Sequence, residues 1–279
     1  MSPLTLRQAA LDVLTTPCPV TKAAKTRAHA QHWRDGTITE IGHADLPLRP
    51  ARTEKPELRH PTEMPKRGKA GSTRSKIALL HALAHIELNA IDLSWDVLAR
   101  SFDLGGYTLP NDFYTDWVKV ADDEAKHFML LQDRLGDLGA AYGDLPAHDG
   151  LWESAIATKD DFAARLAIVP MVLEARGLDV TPNMIAMMQR QGDEKTTAIL
   201  QTIHDDEITH VSAGTTWFTQ WCAYHNLDVE THWQDLVKTY FNGMLKSPFN
   251  HPSREEAGMI RDWYEPLADI PLARPKQSG

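Results

Sequence analysis

The sequence predicts an all-α protein built as a four-helix bundle with one long crossover. Three observations lead there. Long segments carry apolar residues at helical spacing, and the breaks between them fall at Gly, Pro and capping residues. The order of segments is hairpin, long connection, hairpin, which is the order of bundles with a single crossover. Composition agrees: the 279-residue chain is 42% hydrophobic and 24% charged, ordinary values for a globular protein.

Residues 2–15 read as a short amphipathic helix with Leu4, Leu6, Leu11 and Leu14 as its apolar positions. From Trp33 to Lys69 the texture changes, and Pro47, Pro50, Pro56, Pro61 and Pro65 exclude any long helix. This is an extended arm with too few apolar residues to fold alone. A helix then starts near Ser72 or Thr73, shows Leu80, Leu83, Ala84, Glu87, Ile91 and Leu98 on one face, and stops before Gly105-Gly106. Asn111 caps a second long helix that runs through Trp117, Glu124, His127 and Leu131 to about Gly139. Residues 140–158 are a connection much longer than a hairpin needs.

A third helix is expected from about Asp160 to Arg176, with Pro170 kinking or bulging it four residues before Glu174. Thr181-Pro182 restarts a short helix, and Asp193 caps a fourth long one that reaches Tyr224. Further helices are expected at 228–246 and 252–264. The chain thus divides into an N-terminal helix with a basic arm (1–71), the bundle (72–226) and a C-terminal helical extension (227–279).

Net charge is -9, but nine Lys or Arg stand against three Glu between Arg49 and Lys76. Such an arm docks on the acidic body of its own chain or meets an acidic partner such as nucleic acid. The first reading is adopted. The first twenty residues lack the pattern of a secretory signal, and no apolar run of membrane-spanning length stands out, so no membrane is expected. The two cysteines, Cys18 and Cys222, form no CxxC pair, which points to a reducing cytoplasm.

Chemistry concentrates in one motif. Glu-x-x-His occurs at Glu40/His43, Glu57/His60, Glu124/His127 and Glu207/His210. The first two lie in the proline-rich arm, where no helix sets their geometry. The last two sit mid-helix, where residues three apart share a face and can grip one ion. Each follows two aspartates, Asp122-Asp123 and Asp205-Asp206, and each is matched by a Glu on the apolar face of the preceding helix, Glu87 or Glu174. A carboxylate on a buried face is expensive unless a positive charge compensates it. No Lys or Arg shares these faces, whereas two divalent ions would balance four carboxylates, and two imidazoles complete an N/O set suited to iron or manganese. One Glu from each of two helices and Glu-x-x-His from each of the others is the ligand set of ferritin-like di-iron and di-manganese bundles. His204 is read as outside this set. His81 and His85 face away from Glu87 and are read as surface or packing residues.

Three stretches carry a family resemblance: Leu80-His81-Ala82-Leu83-Ala84-His85-Ile86-Glu87-Leu88-Asn89-Ala90-Ile91, Asp205-Asp206-Glu207-x-x-His210-Val211 and Lys246-Ser247-Pro248-Phe249-Asn250. The arm around Arg52-x-Glu54-Lys55-Pro56-Glu57-Leu58 fits as well. The chain resembles a ferritin-like family long filed as a domain of unknown function. The wider di-iron group this implies includes ribonucleotide reductase small subunits, multicomponent monooxygenases, rubrerythrins and a tRNA-modifying hydroxylase. Its oxygenases share a D-E-x-x-H pattern, matched by Asp123-Glu124 and Asp206-Glu207. The Arg often found just before the His is here Lys126 or Thr209. The resemblance also implies crossed hydrogen bonds to the ligand histidines, Asp206 to His127 and Asp123 to His210.

The expected function is a cytoplasmic non-haem di-iron oxidoreductase that activates dioxygen to oxidise or hydroxylate a small-molecule substrate, with an external electron donor. Glu87 and Glu174 would each serve mainly one iron, and Glu124 and Glu207 would bridge. Mn/Fe or Mn/Mn would fit the same ligands. The alternatives are a ferroxidase or peroxide scavenger and, through the 49–76 arm, a tRNA-modifying hydroxylase.

Overall fold

The computed structural model describes residues 4–64 and 71–272. Among them the only regular structure is helical, and β pairing is confined to isolated bridges such as Leu58–Ala147. The described residues form two compact units.

The first unit holds residues 1–101, 110–152 and 187–199. Helix α1 (Leu6–Leu14) is capped reciprocally by Thr5 and Gln8. Helix α2 (Pro19–Arg34) was not foreseen: its buried positions are Lys22, Ala23, Thr26 and Ala30, so no stripe of large apolar residues announces it. It packs on α4 (Asn111–Asp137), which in turn packs along α3 (Thr73–Ala99). Ser72 caps α3 as expected. Asn111 proves to be the first helical residue of α4, after Pro110, and not its cap.

Among the described residues the arm is extended from Ile38 to Met64, as its prolines require, apart from a 3-10 turn at Pro61–Glu63. It is stitched to its own chain. The Ala51 amide donates to the Leu14 carbonyl at 2.7 Å, and Arg59 and Ala147 exchange amide bonds with Ala147 and Glu57 at 2.8 and 3.0 Å. Asp92, fully buried on α3, binds Lys22 and Arg52, each at 2.5 Å. A carboxylate can be dehydrated there only because both cations are present. Arg49 also pairs with Asp149, and Lys76 with Asp193 at 2.8 Å. Arg59 pairs with Glu57 of the arm itself at 2.6 Å, and the arm's cations Lys66, Arg67 and Lys69 lie outside the described residues.

Helix α3 is long and apolar enough to cross a membrane, contrary to the expectation from the sequence, but 72% of its apolar window is buried inside the protein. That is the position of a core helix.

The second unit holds residues 102–109, 153–186 and 200–279. Helix α5 (Gly150–Ala157), inside what the sequence reads as a plain connection, leads into α6 (Phe162–Ile168). Pro170 then has the effect expected of it. Residues Val169–Glu174 form a π-helical turn before α7 (Ala175–Arg190) resumes.

The expected restart at Thr181-Pro182 is a correction, because α7 runs straight through Pro182. Proline cannot donate to the carbonyl four residues back, that of Leu178. Asn250 Nδ2 replaces the missing donor at 3.1 Å. Helix α8 (Glu194–Tyr224) follows Asp193, whose carboxylate accepts the Thr196 amide at 3.1 Å.

Beyond it come α9 (Val229–Tyr240), α10 (His251–Glu256) and α11 (Arg261–Tyr264), the last two separated by Gly258 at φ +83°. Arg254 locks this extension to α7. It binds Asp179 through two bonds of 2.8 and 2.7 Å, and its guanidinium also lies over the rings of Phe249 and Tyr264.

Candidate metal centre

In the first unit the site is built on two regular helices. The buried face of α3 carries Leu80, Ala84 and Ile91, all fully buried, and Glu87 at 2% exposure. On α4 the three-residue spacing puts Glu124 and His127 on one face, each at 0% exposure. His127 Nδ1 lies 3.3 Å from Glu87 Oε2 and 3.6 Å from Glu124 Oε2. Ligand atoms of the three residues lie within 4.8 Å of one another. Burial, and next the carboxylate of Glu124, pushes the Glu87 carboxyl up to about 8, with His127 pulling the other way. Two carboxylates and an imidazole in a dry space make a buried cluster that could hold a metal ion.

In the second unit the same residue types sit on a different backbone. Glu207 and His210 on α8 are 7% and 0% exposed, with His210 Nδ1 3.8 Å from Glu207 Oε2. Glu174 is the last residue of the π-helical turn, and both of its carboxylate oxygens are buried.

Helix α8 reaches that turn through Gly214. A Cβ placed there would stand 2.4 Å from Pro170 Cγ, so only glycine allows the contact. Glu174 lies one turn after Pro170, and His210 one turn before Gly214.

Comparison with known proteins places the chain. The family described as "Protein of unknown function (DUF455)" matches residues 15–265. The chain belongs to it. An uncharacterized protein of Haemophilus influenzae is 40% identical over 215 residues, covering 75% of this chain and 74% of that one. No solved structure matches. The family of unknown function expected from the motifs is therefore met.

In this DUF455 protein Asp123 and Asp206, which precede the two motif glutamates, are partly buried. Asp123 accepts from Lys119 and Lys126 of its own helix, each at 2.8 Å. His204 has Ser253 Oγ at 3.5 Å from Nε2 and Asp205 at 3.6 Å from Nδ1. Of the two readings of His81 and His85, surface or packing, the structure gives packing: both are buried, at 2% and 6% exposure, and both are engaged in hydrogen bonds. Their place opposite Glu87 on α3 was legible from helical periodicity; their burial depends on the 142–151 segment, far along the chain.

Proposed function

We propose that this protein is a non-haem di-iron oxidoreductase that activates dioxygen to oxidise or hydroxylate a small organic substrate. The observation that carries the proposal is the dehydrated cluster of Glu87, Glu124 and His127, whose residue types recur in the sequence at Glu174, Glu207 and His210. Oxygen and imidazole donors without thiolate suit iron or manganese, and Fe/Fe, Mn/Fe and Mn/Mn all fit the donor set. Glu87 carries its proton up to about pH 8 because burial and Glu124 oppose its ionisation, and a divalent cation relieves both costs. On this reading the six residues together hold two ions, whose four positive charges balance four carboxylates.

Bound iron supplies one-electron and oxygen chemistry, while the chain supplies orientation and dryness. Leu80, Ala84 and Ile91 on α3 and Phe128 and Leu131 on α4, all fully buried, exclude water from the Glu87 side. Reducing one dioxygen to the level of one inserted oxygen atom and one water takes two electrons beyond those of the substrate, so a separate electron donor is part of the proposal. Arg49, Arg52 and Lys76 are paired within the chain, which favours an arm serving the protein body over one serving nucleic acid. Two free cysteines, Cys18 and Cys222, accord with a cytoplasmic setting.

The test is oxygen uptake by protein loaded anaerobically with ferrous iron. Uptake that continues only while a reductant is supplied, with no build-up of ferric mineral, is the expected result. Stoichiometric iron oxidation that ends in stored ferric mineral would replace the oxidoreductase with a ferroxidase. A salt-sensitive complex with tRNA would instead favour a nucleic-acid substrate.

A further inference from the structure

Helix α3 has a second built face. Ala78, His81, Ala82 and His85 lie about half a turn round from Glu87 at 3.6 residues per turn. They line a cavity of about 130 Å³ together with Met64, Leu145, Pro146 and Leu151. All of these residues belong to the first compact unit. Among the described residues no Lys, Arg, Asp or Glu lines the cavity; its polar members are His81, His85 and His148.

The histidines are fixed by bonds that leave a specific chemistry. His85 is used up: its Nε2 donates to the His148 carbonyl at 3.0 Å, and its Nδ1 then accepts the Tyr142 hydroxyl at 2.7 Å. His81 Nε2 accepts the amide of Gly143 at 2.9 Å and that of Leu145 at 3.4 Å. A neutral His81 ring must therefore carry its proton on Nδ1. Among the described residues no acceptor is bonded to that atom. The ring is 2% exposed and stacks on Tyr142 with centroids 5.2 Å apart and planes 20° from parallel. Burial lowers the pKa of His81 against the pull of Asp144, which keeps the ring neutral.

We propose that this cavity is a binding site for a neutral organic molecule of one-ring size carrying one hydrogen-bond acceptor, which takes the Nδ1–H of His81. Size follows from volume: an apolar cavity of roughly 150 Å³ accepts benzene. Neutrality follows from the lining, which offers no counter-charge to an ion that would have to leave water. The acceptor follows from the Nδ1–H that the bonds to His81 Nε2 leave over. This site is independent of the metal centre, since a ligand here meets the face of α3 opposite Glu87.

The experiment is a titration of the full-length protein with phenol, with benzoate and protonated benzylamine as charged probes of the same ring size, followed by ligand-observed NMR. Saturable phenol binding in the low millimolar range, about tenfold or more tighter than either charged probe, is expected. Ala82→Phe, which fills the cavity from a half-buried position, should weaken phenol about tenfold or more while leaving metal content unchanged. Ala78→Leu serves the same purpose should Ala82→Phe fail to fold by circular dichroism. No saturation by phenol, equal binding of benzoate, or phenol binding unaffected by a folded cavity-filling variant would each overturn the proposal.

Discussion

The two units carry the same donor types on different backbones. In the first, Glu87 and the Glu124/His127 pair stand on uninterrupted helices of 27 residues each, and all three are buried at or below 2% exposure. In the second, Glu174 ends a π-helical turn forced by Pro170 and is only half-buried, and α8 must carry glycine at 214 to approach that turn. A regular helix holds a ligand by packing alone. A π turn interrupts the regular ladder, and such interruptions often mark functional sites. Glu87, Glu124 and His127 therefore stand on regular backbone, and Glu174 on an interrupted one.

The largest effect expected concerns the Glu87 half. On the proposed reading, replacing Glu87 by Gln removes a ligand and should abolish measurable metal loading at its ion. The same variant exposes a pH effect in metal-free protein. Glu87 titrates near 8 when folded and near 4.5 as a free carboxyl, so the folded state holds a proton that the unfolded state loses. Its contribution is fully present below about pH 4.5 and is lost as pH rises towards 8. Wild type should therefore lose stability relative to Glu87→Gln between those limits, by an amount of order a few kcal/mol in chemical denaturation. Parallel curves for the two proteins would show that Glu87 does not carry this proton.

A smaller effect is expected at the aspartates that precede the two motif glutamates. If they form the crossed pairs that the resemblance implies, Asp206→Ala weakens metal affinity about 10- to 100-fold with the fold intact. Asp123→Ala should do the same in the other half, although there it also frees Lys119 and Lys126. Unchanged affinity in both variants, measured by competition with a chelator, would reduce the aspartates to surface charges.

The backbone difference itself can be broken at one position. Gly214→Ala places a methyl group against Pro170 and should destabilise the protein by about 1–3 kcal/mol, seen as a lower Tm. It should also perturb metal binding at the Glu174 half more than at the Glu87 half. A variant as stable as wild type would show that the close approach is dispensable. The smallest effect is at Asn250→Ala, which removes the donor to the Leu178 carbonyl exposed by Pro182. A loss of about 1–2 kcal/mol in chemical denaturation is expected.

The parts legible in the sequence are those governed by local rules. A Glu among Leu80, Leu83, Ala84 and Ile91 announces a buried acid, and Pro170 inside an apolar run announces a broken turn. Ser72 and Asp193 announce helix starts. What stayed hidden depends on partners distant in sequence. Helix α2 is buried through Ala23, Thr26, Ala30 and Lys22, and Lys22 is tolerable only because Asp92 on α3 meets it. Pro182 reads as a helix start because nothing local reveals that Asn250 will serve the carbonyl it strands. Helix α3 has a span and hydropathy that suit a membrane as well as a core, and only packing decides between them.

The central claim is that six side chains hold two metal ions, and metal content tests it most directly. Protein purified anaerobically should contain, or take up from ferrous salt, about two iron atoms per chain. Its Mössbauer or paramagnetic resonance spectrum should be that of a coupled pair, and His127→Ala and His210→Ala should each reduce the iron content. A protein that takes up no transition metal, or binds one uncoupled ion unaffected by both histidine variants, would contradict the account.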